Sequence, residues 1–182
     1  VGAPGAGKST LAQALLEAFP GVAQVVPMDG YHLANSELAR LGRAGRKGAP
    51  DTFDAAGYLA LLRRLRDQRD DELVYAPEFR REIEEPIAGA IAVLPGTRLV
   101  IAEGNYLLLG DGAWAGVAGL LDASWYVDVA PQQRLARLQS RHEQFGRSPA
   151  EAADSVQRTD EPNARLIEAS RARAQAVFRG DT

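Results

Sequence analysis

Gly2-Ala3-Pro4-Gly5-Ala6-Gly7-Lys8-Ser9, followed by Thr10 and the helix-like run Leu11 to Phe19, decides the reading of this chain. The pattern is Gly-x4-Gly-Lys-Ser, set where a glycine-rich turn opens a helix. Glycines at these positions let consecutive backbone N–H groups converge on a polyphosphate with no side chain in the way. The helix that starts near Lys8 adds its positive end. Gly2, Pro4, Gly5, Ala6, Gly7, Lys8, Ser9 and Thr10 are therefore the expected nucleotide-binding stretch. Lys8 is expected at the β- and γ-phosphates and Ser9 at Mg²⁺. A phosphate loop ordinarily follows a buried strand. The chain opens at Val1 directly in the loop, so a further N-terminal strand is expected before it.

Composition fits one folded domain over residues 1–182. Hydrophobic residues make up 46% and charged residues 25%, both ordinary for a globular protein. A net charge of −3 gives no reason to expect nucleic acid or an anionic membrane as partner. With no cysteine, disulfides and thiolate metal sites are excluded. No apolar run approaches spanning length and no signal peptide is visible, so a cytoplasmic location is the default expectation. Nothing marks an oligomeric interface; a homodimer is simply a common outcome.

Strand and helix patterns alternate along the chain. Ala23–Met28 reads as a strand leading to Asp29, and Ala34–Leu41 as a short helix. Gly42–Thr52 reads as a basic loop, and Phe53–Arg69 as a helix with Leu59, Leu62 and Leu65 on roughly one face. Leu73–Pro95, with Pro77 and Pro86, is expected to be irregular. Arg98–Ala102 and Ser124–Val129 read as buried strands. Gln132–His142, Pro149–Thr159 and Asn163–Phe178 read as helices. Buried strands alternating with helices behind a phosphate loop imply an α/β, three-layer fold. Its mainly parallel sheet would be covered on both faces and bind ligands at the strand C-termini.

Two carboxylates fall at strand ends. Asp29, in Met28-Asp29-Gly30-Tyr31-His32, is placed to orient an acceptor hydroxyl and take its proton near a γ-phosphate. An Asp at a strand end also serves as a helix cap or turn former, and both readings stand. Glu103 closes the apolar strand Leu99-Val100-Ile101-Ala102, the Walker B pattern in which the acid meets Mg²⁺ directly or through water. Arg134, Arg137 and Arg141 share one helix face, and Arg147 follows after Gly146. Arg137 and Arg141 suit a lid, approximately residues 137–158, that closes over the transferring phosphoryl. Arg134 is read as solvated.

Five stretches carry a family resemblance: residues 2–10 (GAPGAGKST), 28–35 (MDGYHLAN), 46–54 (RKGAPDTFD), 102–109 (AEGNYLLL) and 160–174 (DEPNARLIEASRARA). In order and over nearly the whole chain, they resemble the P-loop kinases that include uridine kinase, phosphoribulokinase and type I pantothenate kinase. Within that group the chain looks most like bacterial fructose-transport-system or nucleoside/nucleotide kinases. The resemblance implies an ATP- and Mg²⁺-dependent phosphotransferase with an alcohol acceptor. Asp29 would be its catalytic base, Glu103 its Walker B acid, and Arg137 and Arg141 its lid arginines. Asn163 and Ser170-Arg171 resemble C-terminal elements of pantothenate kinase placed near ATP or substrate.

Departures from the family narrow the acceptor. Uridine kinases carry Tyr-Asp after the middle helix, where this chain has Tyr75-Ala76-Pro77. The aromatic-rich pantothenate pocket near the lid is absent as well. A sugar of the fructose type is the first expectation, with a nucleoside or pantothenate as alternative. Tyr31, His32, Lys47, Asp51, Arg80, Arg81 and Tyr106 are the expected acceptor-side residues, offering hydrogen bonds to hydroxyls or a phosphate. Each has a plainer reading: a hydrogen-bonded loop residue for His32, partial core for Tyr31 and Tyr106, and a surface cluster for Arg46 and Lys47. Trp114 and Trp125 are expected to pack. Two other classes compete, a GTPase-like switch and a non-catalytic nucleotide sensor or NTPase. The first lacks an Asn-Lys-x-Asp stretch, and the second would be expected to have lost Asp29, Glu103 or the lid arginines.

Overall fold

A computed structural model describes residues 1–180. Its strands form three two-stranded sheets among the described residues. Strands β1 (Ala23–Pro27) and β4 (Leu99–Glu103) pair in parallel, with Pro27 opposite Glu103. Strands β5 (Trp125–Asp128) and β6 (Ala176–Arg179) form a second parallel pair. Val1 continues strand-like pairing onto β5: its nitrogen donates to Trp125 O (2.8 Å), and Val127 N donates to Val1 O (2.7 Å). An apolar cavity of about 870 Å³ lies between β4 and β5, lined by Leu11, Leu15, Leu65, Ile101 and Val127 among others.

Leu73–Pro95 departs from expectation. It folds as an antiparallel hairpin of β2 (Val74–Arg80) and β3 (Glu85–Val93). Proline, which has no N–H to give a ladder, survives here because the register shifts between Ala76 and Glu78, at Pro77 itself. A second correction concerns the C-terminus. The helix read from Asn163 to Phe178 ends at Ala169, and residues 176–179 form β6 instead.

The helices otherwise follow the sequence. They are α1 (Lys8–Ala18), α2 (Asn35–Arg40), α3 (Ala55–Arg66), α4 (Pro131–Gln144), α5 (Pro149–Ser155) and α6 (Glu161–Ala169). Asp54 caps α3 by accepting from Gly57 N (2.8 Å), and Ser148 with Glu151 forms a capping box on α5. A π-helical turn, Val156–Asp160, joins α5 to α6. Val26, Met28, Tyr58, Leu62, Val74, Tyr106 and Trp114 lie in one core between the β1–β4 pair, α3 and the hairpin. Trp114 packs as expected; Trp125 is exposed. No helix of the described residues is long and apolar enough to cross a membrane. The architecture is an α/β P-loop NTPase fold.

Candidate active site

Because β1 and β4 run parallel, their C-terminal ends share one sheet edge. Glu103 ends β4. Asp29 lies two residues past Pro27, in a single 3-10 turn over Met28–Tyr31. Gly30 gives that turn its room: a Cβ there would lie 2.2 Å from the Pro77 carbonyl oxygen. The phosphate loop reaches the same edge. Gly5 has φ +80° and presses against α4, where a Cβ would meet Arg134 O at 2.8 Å. The first turn of α1 has no side-chain cap, so its amides remain available to an anion.

Ser9 Oγ donates to Glu103 Oε2 (3.2 Å), and Lys8 Nζ donates to Ala3 O (3.2 Å). Burial pushes the Lys8 ammonium's pKa down, opposed by Glu103 and Asp29. Burial pushes the Glu103 carboxyl up, opposed first by Lys8. Loop, lysine and both carboxylates therefore share one electrostatic environment. Among the described residues, no group of three or more His, Asp or Glu is placed to hold a metal alone.

The hairpin supplies the next contact. Arg81 Nη2 lies 3.2 Å from Asp29 Oδ2. His32 accompanies them: its Nδ1 is 3.1 Å from Asp29 O, which can only accept, so Nδ1 carries the hydrogen. The His32 ring packs against Phe53 and Phe79, with centroids at 3.9 and 4.6 Å. Burial holds its pKa down at about 4, so it is neutral at pH 7. Lys47 Nζ donates to Asn35 Oδ1 (2.7 Å) and to the Glu84 carbonyl, and sits 5.0 Å from the Phe79 centroid. Its side chain is only 16% exposed, so it is no loose surface lysine.

The remaining expected residues divide. Tyr106 is buried in the core, and its hydroxyl donates to Gly48 O. Asn163 Nδ2 donates to the same carbonyl (3.2 Å). Tyr31 is half-buried, edge-on to Tyr58. Arg80 pairs with Glu78 (2.8 Å) and Asp51 with Arg43 and Arg46, so neither engages Asp29. Arg137 lies beside the phosphate loop, its Nη1 being 3.6 Å from where a Gly7 Cβ would sit. Burial lowers the pKa of Arg141, and the charged groups acting on it are Arg81, Asp160, Asp29 and Glu84. Arg147 bonds Ser155.

Arg134 is a correction. It is 4% exposed rather than solvated, packed under Gly5 and paired with Glu161 of α6. Sequence reading also missed Asn35, Phe79 and Glu84. Phe79 and Glu84 sit in the stretch expected to be irregular, and Asn35, though it closes the 28–35 stretch that carries the resemblance, has no role assigned to it by its sequence.

No protein-family model matches the chain. The "ATP-dependent kinase-like protein notR'" of Aspergillus versicolor is 37% identical over 162 residues, covering 85% of this chain and 94% of that protein. A Schizosaccharomyces pombe protein named "Putative uridine kinase" is 36% identical, covering 87% of this chain and 71% of the relative. Among solved structures, a "putative fructose transport system kinase" from Silicibacter sp. TM1040 superposes with a TM-score of 0.87 at 40% identity. It covers 97% of this chain and 86% of the other. The chain belongs to this family of P-loop ATP-dependent kinases.

Proposed function

We propose that the chain transfers the γ-phosphoryl of MgATP to a hydroxyl of a small metabolite, with a sugar of the fructose type as first choice. The observation that carries this is the placement of Asp29 two residues past β1, on the sheet edge shared by the phosphate loop and Glu103. A carboxylate there orients the acceptor alcohol and accepts its proton as the bond to phosphorus forms. Lys8 and the loop amides hold the phosphates, and Arg137 and Arg141 neutralise the transferring group within a lid over 137–158.

Magnesium fits the residues present. The ion is ordinarily held by one or two protein oxygens together with substrate phosphates and water, not by an all-protein cage. Ser9 Oγ and Glu103 Oε2, 3.2 Å apart, supply such a pair. When bound, the ion neutralises phosphate charge.

The sugar class draws on the name of the Silicibacter structure. A nucleoside is the second reading, favoured by the name of the yeast relative, but Tyr75-Ala76-Pro77 lacks the acid that uridine kinases carry there. A coupled ADP-release assay with MgATP against sugars, nucleosides and pantothenate tests the proposal. One acceptor should stimulate turnover, and Asp29→Asn should abolish the stimulation. ADP release that ignores both acceptor and variant would replace the kinase with an NTPase or sensor.

A further inference from the structure

We infer that the acceptor is a hydroxylated anion, a sugar acid or sugar phosphate, whose carboxylate or phosphate is taken by Arg81 and Lys47, the two cations against Phe79. The inference rests on the kinase reading above and narrows its substrate class.

The acceptor side is bounded by Asp29, the hairpin end and the loop holding Lys47. Its floor is neutral and aromatic: His32 carries no charge at pH 7 and packs against Phe53 and Phe79. Two cations stand on that floor. The Arg81 guanidinium carbon is 5.7 Å from the Phe79 centroid, and Lys47 Nζ is 5.0 Å from the same centroid. Both also act, with Asp29, on the His32 ring, so the two cations gather around the same aromatic floor.

Neither cation is fully matched. Arg81 meets Asp29 through Nη2 alone, at 3.2 Å, and its side chain is 39% exposed, leaving further guanidinium N–H groups to donate. Lys47 gives its close hydrogen bonds to two neutral oxygens, Asn35 Oδ1 and Glu84 O. The Glu84 carboxylate stands off at 3.9 Å. Arg141 adds a third positive charge near enough for Arg81 to depress its pKa. The nucleotide phosphates have their own cations in Lys8, Arg137 and Arg141, so Arg81 and Lys47 are not needed to hold them.

An anion between Arg81 and Lys47 would relieve the repulsion between Arg81 and Arg141 and would give Lys47 a closer ionic partner than the Glu84 carboxylate at 3.9 Å. A planar guanidinium with free N–H groups is well suited to a carboxylate or phosphate. The same anion would draw Arg81 away from Asp29, leaving that carboxylate free for the hydroxyl. A neutral polyol offers no such exchange.

The test is ADP release with the intact chain and MgATP on matched acceptors. Glucose is set against gluconate and glucose 6-phosphate, and fructose against fructose 1-phosphate and fructose 6-phosphate. The expected result is kcat/KM at least ~10-fold higher for an anionic member than for its neutral parent, the two anionic arms separating carboxylate from phosphate. Arg81→Gln and Lys47→Gln should each raise KM for that anion by about 10-fold or more, while Arg81→Lys restores part of the loss. Neutral sugars used as well as the anions, or a KM indifferent to both Gln variants, would overturn the anion and leave the kinase intact. No stimulation by any acceptor would overturn the kinase reading and this one with it.

Discussion

Ser9 Oγ donates to Glu103 Oε2 over 3.2 Å, joining the first turn of α1 to the end of β4. The two oxygens come from residues ninety-four positions apart, and neither has another hydrogen-bonded side chain among the described residues. This is where the magnesium of the nucleotide would be held. Ser9→Ala and Glu103→Gln should each raise the Mg²⁺ concentration needed for half-maximal turnover by about 10-fold or more. Magnesium titration of the rate reads this directly, and unchanged curves would remove both residues from the metal.

Asp29→Asn keeps the shape of the carboxylate and removes its basicity. Turnover should fall by ~10²-fold or more with ATP affinity largely retained. Steady-state rates alongside nucleotide titration separate the two effects. Near-normal turnover would return Asp29 to the plainer role of turn former.

Lys8→Ala removes the ammonium from the loop without disturbing the glycines. Both ATP affinity and turnover should drop, since in the proposed reading the charge would meet the phosphates in the ground state and during transfer. Equilibrium binding of ATP to the variant is decisive: undiminished affinity would contradict the phosphate role.

His32 makes stability depend on pH. Its folded pKa of about 4 lies below the ordinary histidine value of 6.5, so the unfolded chain binds the proton more readily. The contribution is present in full above pH 6.5 and is lost progressively as pH falls towards 4, on the order of 3 kcal/mol in all. Urea unfolding at several pH values should show the decline, and His32→Asn should flatten it. An unchanged slope in the variant would assign the acid sensitivity to other groups.

Arg134 and Glu161 form a pair with both side chains largely out of water. Removing one partner strands the other, so Arg134→Ala should cost about 3–5 kcal/mol, whereas replacing both partners together, Arg134→Met with Glu161→Leu, should cost much less. Thermal or urea denaturation of the two variants gives the comparison. Equal and small losses would mean that the pair is not structurally important.

The parts of the site legible in the sequence were those whose chemistry is local. A glycine-rich turn before a helix, and an acid at the end of an apolar strand, declare themselves within ten residues. Arg134 did not, because its spacing from Arg137 and Arg141 is that of a common solvated face, and only Glu161, twenty-seven residues on, shows it to be buried. The hairpin was hidden by Pro77 and Pro86, which argue against strands until a register shift accommodates the first of them. β6 was hidden for another reason: its four residues are all exposed and carry no alternating pattern, so a helical reading ran over them.

The carbonyl of Gly48 accepts from both the Tyr106 hydroxyl and Asn163 Nδ2. One backbone oxygen thus ties together the Lys47 loop, the segment after β4 and α6, the helix that follows the proposed lid. If lid movement shifts α6, Asn163 carries the shift to the loop beside the acceptor. Nucleotide and acceptor would then not bind independently: each would change the other's affinity by the same factor, because the coupling free energy belongs to the pair.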